Sequence, residues 1–369
     1  MCYLSSAGKK GQAPPALIVY KVQEDGKLDE IQKIELERPP LPSIVSPDGK
    51  FLYLATFRGV KSNKNKKEKR VILKPNIVTY SIAKDGKLTE VARVDAEVAY
   101  FFISVDPLGD YLWGMGSKKV IAHKIKEGKC IAAVANAPTD QGAHGVCSDS
   151  SGKFIYIPHI GTNQMYQYRF LREKESFEAL DPLSVEGPKN QTSKDPRHIV
   201  VHPKLNVIYT SNQFRGGISS WKKNAEGKLS LWQTMSTVQE KVDWNSGATD
   251  IRLSPDNLFV YISNVDGTNK EPDEGKGTIA AFKVDPTTGE LSKCIDRVAT
   301  DRMVRSFAIS ASGRYLYAAD SRSATIFIYK RNSATGKLTL LKKKKSYQGL
   351  GWITAGLGRQ VVKTKADKN

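Results

Sequence analysis

The sequence predicts an all-β protein: a seven-bladed β-propeller of four-stranded antiparallel blades, its ring closed by a composite blade drawn from the N- and C-terminal strands. Three observations predict it. One phrase recurs six times, an alternating apolar run, a turn of Ser-Pro-Asp-Gly type and a second run carrying an aromatic residue. It reads SPDGKFLYLAT at 46–56, DPLGDYLWGMG at 106–116, DSSGKFIYIPH at 149–159, HPKLNVIYTSN at 202–212, SPDNLFVYISN at 254–264 and SASGRYLYAAD at 310–320. Successive copies lie 43 to 60 residues apart, about 53 on average, which is the spacing of propeller blades. A chain of 369 residues then holds seven units.

The elements follow in chain order. CYLSS at 2–6 matches the second strand of the phrase, and LIVYKV at 17–22 is a third strand. EDGKL at 24–28 is a hairpin turn, with Gly26 where the backbone needs a positive φ. That turn returns as KDGKL at 84–88, EGK at 127–129, EGKL at 226–229, TGEL at 288–291 and TGKL at 335–338. Third strands precede it at 76–82, 165–170, 278–284 and 325–331, and a fourth strand follows each time. GLGWITAG at 349–356 matches the strand before the first turn, so it pairs with the N-terminal strand and removes two open sheet edges. No run of 12 or more residues has helical periodicity. The propeller is expected over residues 1–360 as one domain, with a basic tail over 361–369.

Composition narrows the function classes. Forty per cent hydrophobic residues with no apolar run near 18 argue against a membrane span. No charged and apolar leader precedes the first strand, so the expected compartment is the cytoplasm, or the periplasm or exterior if a leader has been removed. Cys2, Cys130, Cys147 and Cys294 lack CxxC spacing and read as buried, reduced thiols. One Asn-x-Thr sequon stands at Asn190. Of the formal charge of +19, much lies in the segment from Lys61 to Lys74, in Lys342 to Lys345 and in the tail from Lys363, without interleaved aromatics. That pattern reads as a solvated basic surface that draws in small anions rather than as a nucleic-acid groove. The expected partner is a small anionic molecule, and the chain is expected to be a monomer.

Blade topology locates the chemistry. The residues just before each innermost strand and just after each second strand share one rim of the central channel, and the long connections fall there: 57–75, 136–143, 182–196, 214–217, 234–247 and 265–277. On this reading the innermost strands begin at Ser43, Phe101, His144, Arg197, Thr249, Arg305 and Trp352, and second strands end near His159 and Asn212-Gln213. Two arginines and a histidine at one channel mouth suit an anionic substrate, guanidinium groups gripping carboxylate or phosphate and a neutral imidazole moving a proton. His159 and Asn212 are candidate substrate contacts on the same rim. His198 is expected to point opposite to Arg197, into inter-blade packing. No His, Cys, Asp and Glu set has metal-ligand spacing, and the reading invokes neither metal nor cofactor.

The chain resembles the seven-bladed propeller lactonases, the group containing the bacterial propeller-type 6-phosphogluconolactonase and the fungal 3-carboxy-cis,cis-muconate lactonizing enzyme. The resemblance runs from CYLSS to GLGWIT and rests on Gly142-Ala143-His144-Gly145, Asp195-Pro196-Arg197-His198, His202-Pro203, Ala248-Thr249-Asp250 and Val304-Arg305-Ser306-Phe307. It implies a proton-handling role for His144 and anion binding by Arg197 and Arg305. A glutamate of the family is replaced by Gln213, and an arginine expected just upstream of Asp250 is absent from Trp244-Asn245-Ser246-Gly247. The implied activity is hydrolysis of an anionic sugar-acid lactone, with His144 as base and later acid and Gln213 placing water. The alternatives are a catalytically degenerate propeller that binds an anionic ligand or acidic partner, and a muconate-type cycloisomerase.

Overall fold

A computed structural model describes residues 1–9, 11–57, 59–61, 71–116, 118–189, 193–239, 246–266 and 277–356. The sequon at Asn190, most of the basic 61–74 segment and the basic tail lie outside the described residues. Among those described, every regular element is a strand, and the strands form seven four-stranded antiparallel sheets plus a short ribbon, Gly59–Lys61 with Val71–Leu73.

Six blades run in chain order from innermost to outermost strand. Blade 1 spans Pro40 to Asp95, blade 2 Phe102 to Pro138, blade 3 Cys147 to Glu186, blade 4 Lys194 to Ser236, blade 5 Ser246 to Ala299 and blade 6 Val304 to Lys345. Blade 7 is the composite one. Its innermost strand is Leu350–Ala355, and Cys2–Ser6, Ala16–Val22 and Leu28–Glu35 complete it. Cys2–Ser6 pairs antiparallel with both Leu350–Ala355 and Ala16–Val22, so the two chain ends share one sheet.

The turns that mark the repeat are capped by their own first residues. Ser46, Ser254 and Ser310 Oγ accept the backbone N–H five residues on, and Asp106 and Asp149 carboxylates do the same. Where SPDG becomes SPDN, Asn257 takes the left-handed conformation at φ 63°.

The two sequence landmarks turn out to be bonded to each other across blade joints. The second-strand tyrosine of one blade donates its hydroxyl to the carbonyl of the hairpin glycine of the next. The pairs are Tyr53 to Gly128 (2.9 Å), Tyr156 to Gly227 (2.7 Å), Tyr209 to Gly289 (2.6 Å), Tyr261 to Gly336 (2.7 Å) and Tyr317 to Gly26 (3.1 Å). A buried hydroxyl needs such a partner, and in these five the partner is next door. No such bond is made by Tyr3 of blade 7 to Gly86 of blade 1, and the joint between blades 2 and 3 differs further. Trp113 replaces the tyrosine, the blade 3 hairpin has no glycine, and Arg172 pairs there with the buried Asp106 and with Asp110 (3.2 Å) while Lys124 pairs with Glu175.

Several strands run further toward the channel rim than the sequence suggests. Lys129–Pro138, Ser176–Glu186, Leu229–Ser236 and Ser246–Leu253 take in residues read above as loop. Conversely, the innermost strand of blade 3 is only Cys147–Ser148. His144 precedes it, in a segment tied to the second strand by its own N–H donating to the Pro158 carbonyl at 3.0 Å.

Candidate active site

The innermost strands are bulged where they enter the ring. In blade 4 Pro196 faces Asn212 but Ile199 faces Thr210, and Asp195 sits at φ 65°. In blade 5 Ala248 faces Asn264 and Ile251 faces Ile262. Similar shifts occur at Pro40/Ser43, Val304/Ser306 and opposite Ser5/Ser6. A bulge breaks the strict alternation of side chains and re-aims them. Here it turns neighbouring residues toward the channel together.

His198 is the clearest case, and it corrects the expectation that it packs between blades. Its ring lies 4.9 Å from Phe102 of blade 2, 5.7 Å from Trp352 of blade 7 and 6.3 Å from His144 of blade 3, centroid to centroid. Residues of blades 2, 3, 4 and 7 can meet only in the channel. Phe102 and Trp352 also touch edge to face at 5.6 Å, so an aromatic plug floors the mouth.

In blades 4, 5 and 7 the amide of an inward-turned residue is satisfied by a serine of the second strand. Ser211 Oγ accepts the His198 N–H (3.1 Å), Ser263 Oγ the Asp250 N–H (3.1 Å) and Ser5 Oγ the Trp352 N–H (3.0 Å). All three serines follow the blade aromatic by two residues, in Tyr209-Thr210-Ser211, Tyr261-Ile262-Ser263 and Tyr3-Leu4-Ser5. The other four blades have Ala55, Met115, Pro158 and Ala319 at that position. This Tyr-x-Ser signal was present in the sequence and marks Trp352, already placed on the rim, together with His198 and Asp250, which each follow a rim position by one residue.

Asp250 anchors the floor. It is fully buried and accepts from His198 Nδ1 (3.1 Å), the amides of Ile251 (3.0 Å) and Phe307 (3.2 Å), and Arg252 Nη2 (3.0 Å). Burial by itself would raise its pKa, but Arg252 and the His198 bond outweigh that and hold it below the usual carboxylate range. An ionised carboxylate only accepts, so His198 carries its proton on Nδ1. Burial pushes the His198 imidazole down to about 4, with Arg197 adding to the effect against Asp250.

Above this floor stand the residues singled out from the sequence. His144 is half-buried, its ring stacked on His198 on one side and, at 6.3 Å and 16°, on Phe101 on the other. Burial first, then the positive charge of Arg197, and also that of Arg305, push its imidazole down to about 3. Arg197 Nη1 donates to Gln213 Oε1 at 3.2 Å, and among the described residues no carboxylate pairs with it. Burial and the like charge of Arg305 lower its pKa to about 10, so it stays cationic at neutral pH. Arg305 occupies the bulge of blade 6 with its side chain exposed. The blades close tightly around this group: a Cβ on Gly145 would come within 2.8 Å of the Arg197 carbonyl, and one on Gly247 within 2.7 Å of the Gln213 carbonyl.

Two expected substrate contacts are not in the mouth. Asn212 is fully buried, its amide donating to Ser193 Oγ (3.1 Å) and Ser219 Oγ (2.8 Å) while accepting from Thr210 (3.3 Å), so its capacity is spent inside blade 4. His159 is also fully buried; Nδ1 bonds the Ile157 carbonyl at 3.0 Å and the ring packs on Tyr166 at 4.4 Å, within blade 3. Both sit at the right height, but strand alternation turns them away from the channel. Gln213 is in the mouth, its carbonyl oxygen held by Arg197. Among the described residues, no group of three or more His, Cys, Asp or Glu could hold a metal ion.

The sequence matches the family described as "Lactonase, 7-bladed beta-propeller" over residues 19–355. It is 23% identical over 340 residues to a 6-phosphogluconolactonase of Serratia proteamaculans, covering 91% of this chain and 94% of that protein. The fold is similar to that of the periplasmic gluconolactonase PpgL of Pseudomonas aeruginosa, with a TM-score of 0.79, 19% identity and coverage of 96% and 98% of the two chains. A protein from Lactobacillus plantarum superposes with a TM-score of 0.75 at 16% identity, covering 95% of this chain and 97% of its own.

Proposed function

The chain belongs to the seven-bladed β-propeller lactonase family, and from that membership and the chemistry of its channel mouth we propose that it hydrolyses the lactone of an anionic sugar acid, of the 6-phosphogluconolactone type. One observation carries the reading. Arg197 holds a full positive charge in the mouth with a neutral amide, Gln213, as its acceptor, beside an imidazole kept neutral. Among the described residues no carboxylate pairs with Arg197, and a cation so placed next to a proton acceptor suits an anionic, hydrolysable ligand.

The steps follow from the residues. The anionic group of the lactone lies against Arg197 and Arg305. Its charge offsets the two guanidinium charges that depress His144, so a bound substrate makes that imidazole a better base than it is in the free protein. His144 takes a proton from water, the hydroxide oxygen bonds to the lactone carbonyl carbon, and guanidinium and Gln213 N–H groups stabilise the oxyanion. The ring C–O bond then breaks, and His144 returns the proton to the leaving alkoxide.

Acid release from a panel of δ-lactones, with and without a 6-phosphate, tests the reading. Hydrolysis falling about 100-fold or more in His144→Ala is expected for loss of a general base. Arg197→Ala should raise KM for the phosphorylated lactone more than for the neutral one. Hydrolysis unchanged in both variants would overturn it. The Gln213 amide favours a second reading, a propeller that binds such anions without turnover; binding of a sugar-acid phosphate with no hydrolysis would establish that instead.

A further inference from the structure

Large exposed apolar side chains are few among the described residues: Phe57, Phe101, Leu108, Leu231, Leu340 and Leu341. The two aromatics among them stand together at the channel mouth. Phe57 is 39% exposed and Phe101 45%, with ring centroids 6.5 Å apart. Phe57 ends the rim side of blade 1 and Phe101 opens blade 2, so they come from different blades and converge only at this rim. Phe101 then lies nearly parallel to His144, which lies over His198, giving a run of flat faces from the open rim to the floor.

Neither phenylalanine completes a core. The blade 1 and blade 2 interiors are filled by Tyr53, Ile77, Tyr100, Ile103 and Leu112, all buried. Two phenyl rings left in water beside a cationic pit cost free energy that an apolar ligand face would recover.

We propose that Phe101, backed by Phe57, is a ring-binding subsite that selects anions carrying a ring with an apolar face, the ring lying on Phe101 and the anionic group reaching Arg197 and Arg305. The inference rests on reading the mouth as a lactone site, and it adds what that reading lacks, a reason for a cyclic substrate over an open-chain one. A pyranoid lactone presents such a face through its axial C–H groups. The opened acid does not hold it, so the same stacking that favours the substrate favours release of the product.

Simple carboxylates separate the subsite from turnover. Benzoate and cyclohexanecarboxylate are titrated against acetate by calorimetry or ligand-observed NMR. A stacked ring contributes a preference of about 2- to 13-fold over acetate. Phe101→Ala should abolish that preference and leave acetate binding in place, Phe101→Leu should keep part of it, and Arg197→Ala should weaken all three anions. The exposed position of Phe101 makes a folding defect an unsuitable explanation, and unchanged circular dichroism checks it. Equal binding of benzoate and acetate, no binding of either, or a preference that survives Phe101→Ala overturns the subsite. A protein that shows the preference but opens no lactone overturns the hydrolase reading alone. One that opens lactones with KM unaffected by Phe101→Ala overturns the subsite alone.

Discussion

Acidification from pH 7.5 to 5 should destabilise this protein through histidines, well above the range where carboxylates titrate. His144 is held down to about 3 and His198 to about 4, each below the ordinary histidine value of about 6.5 that the unfolded chain has. The unfolded chain therefore takes protons first as pH falls. Stability is complete above about pH 6.5 and is lost progressively from there down toward pH 3 to 4, where the folded imidazoles themselves protonate. At pH 5 each group costs about 2 kcal/mol, about 4 kcal/mol for the pair. His123, His159 and His202 are lowered as well, all mainly by burial, so every histidine in the chain acts in the same sense. With an unfolding entropy of about 2.1 cal/mol/K per residue over 369 residues, 4 kcal/mol corresponds to about 5 °C in Tm. Thermal unfolding of wild type and His144→Asn at the two pH values reads this out. The variant should lose about 2 to 3 °C less than wild type on acidification. An identical drop in both proteins, or an imidazole of His144 that titrates above pH 5 by NMR, would refute the account of burial and arginine charge given for it.

Three further outcomes are expected. Gln213→Glu places a carboxylate within 3.2 Å of Arg197 Nη1; steady-state kinetics should show a higher kcat from the added proton acceptor, and a KM raised about tenfold for a phosphorylated lactone but not for a neutral one, because Arg197 is now partly neutralised. Asp250→Asn removes the buried charge shared by His198 and Arg252 and should cost about 3 kcal/mol in denaturant unfolding, along with a change in the tautomer of His198 seen in its ring ¹⁵N shifts. Tyr209→Phe and Tyr261→Phe each leave a buried glycine carbonyl without its hydroxyl donor and should each lower stability by about 1 to 2 kcal/mol in the same assay, with no change in KM.

The ring, the blade order and the composite closure were all readable from the chain, because a turn that needs glycine and a strand that needs alternation leave marks at fixed intervals. The mouth was readable only in part. His144, Arg197, Gln213 and Arg305 were reached by asking which residues share a rim, and rim position is set by topology. Asn212 and His159 share that height, but which way a side chain turns depends on register, and no feature of the isolated residue states it. His198 failed for the opposite reason: alternation sends it away from Arg197, and a bulge cancels alternation. The serine two residues after the tyrosine is the partner that lets the bulge bury its amide, so it was the legible trace of an irregularity that periodicity itself hides.

The tyrosine-to-glycine bonds between blades bear on why there are seven blades. Each of the five bonds joins a donor on one blade to an acceptor on the next, a geometry that involves two neighbours at a time and would serve in a ring of another size. The bonds fix the order of assembly and are silent about the count. What does depend on the count is the centre, where Phe102, His198 and Trp352 from three non-adjacent blades meet at 4.9 to 5.7 Å. A ring with one blade fewer would drive these rings into one another, and one with a blade more would draw them apart and open a pore. The aromatic floor of the site is thus fitted to a ring of seven, and the chemistry at the mouth and the closure of the ring meet in the same three side chains.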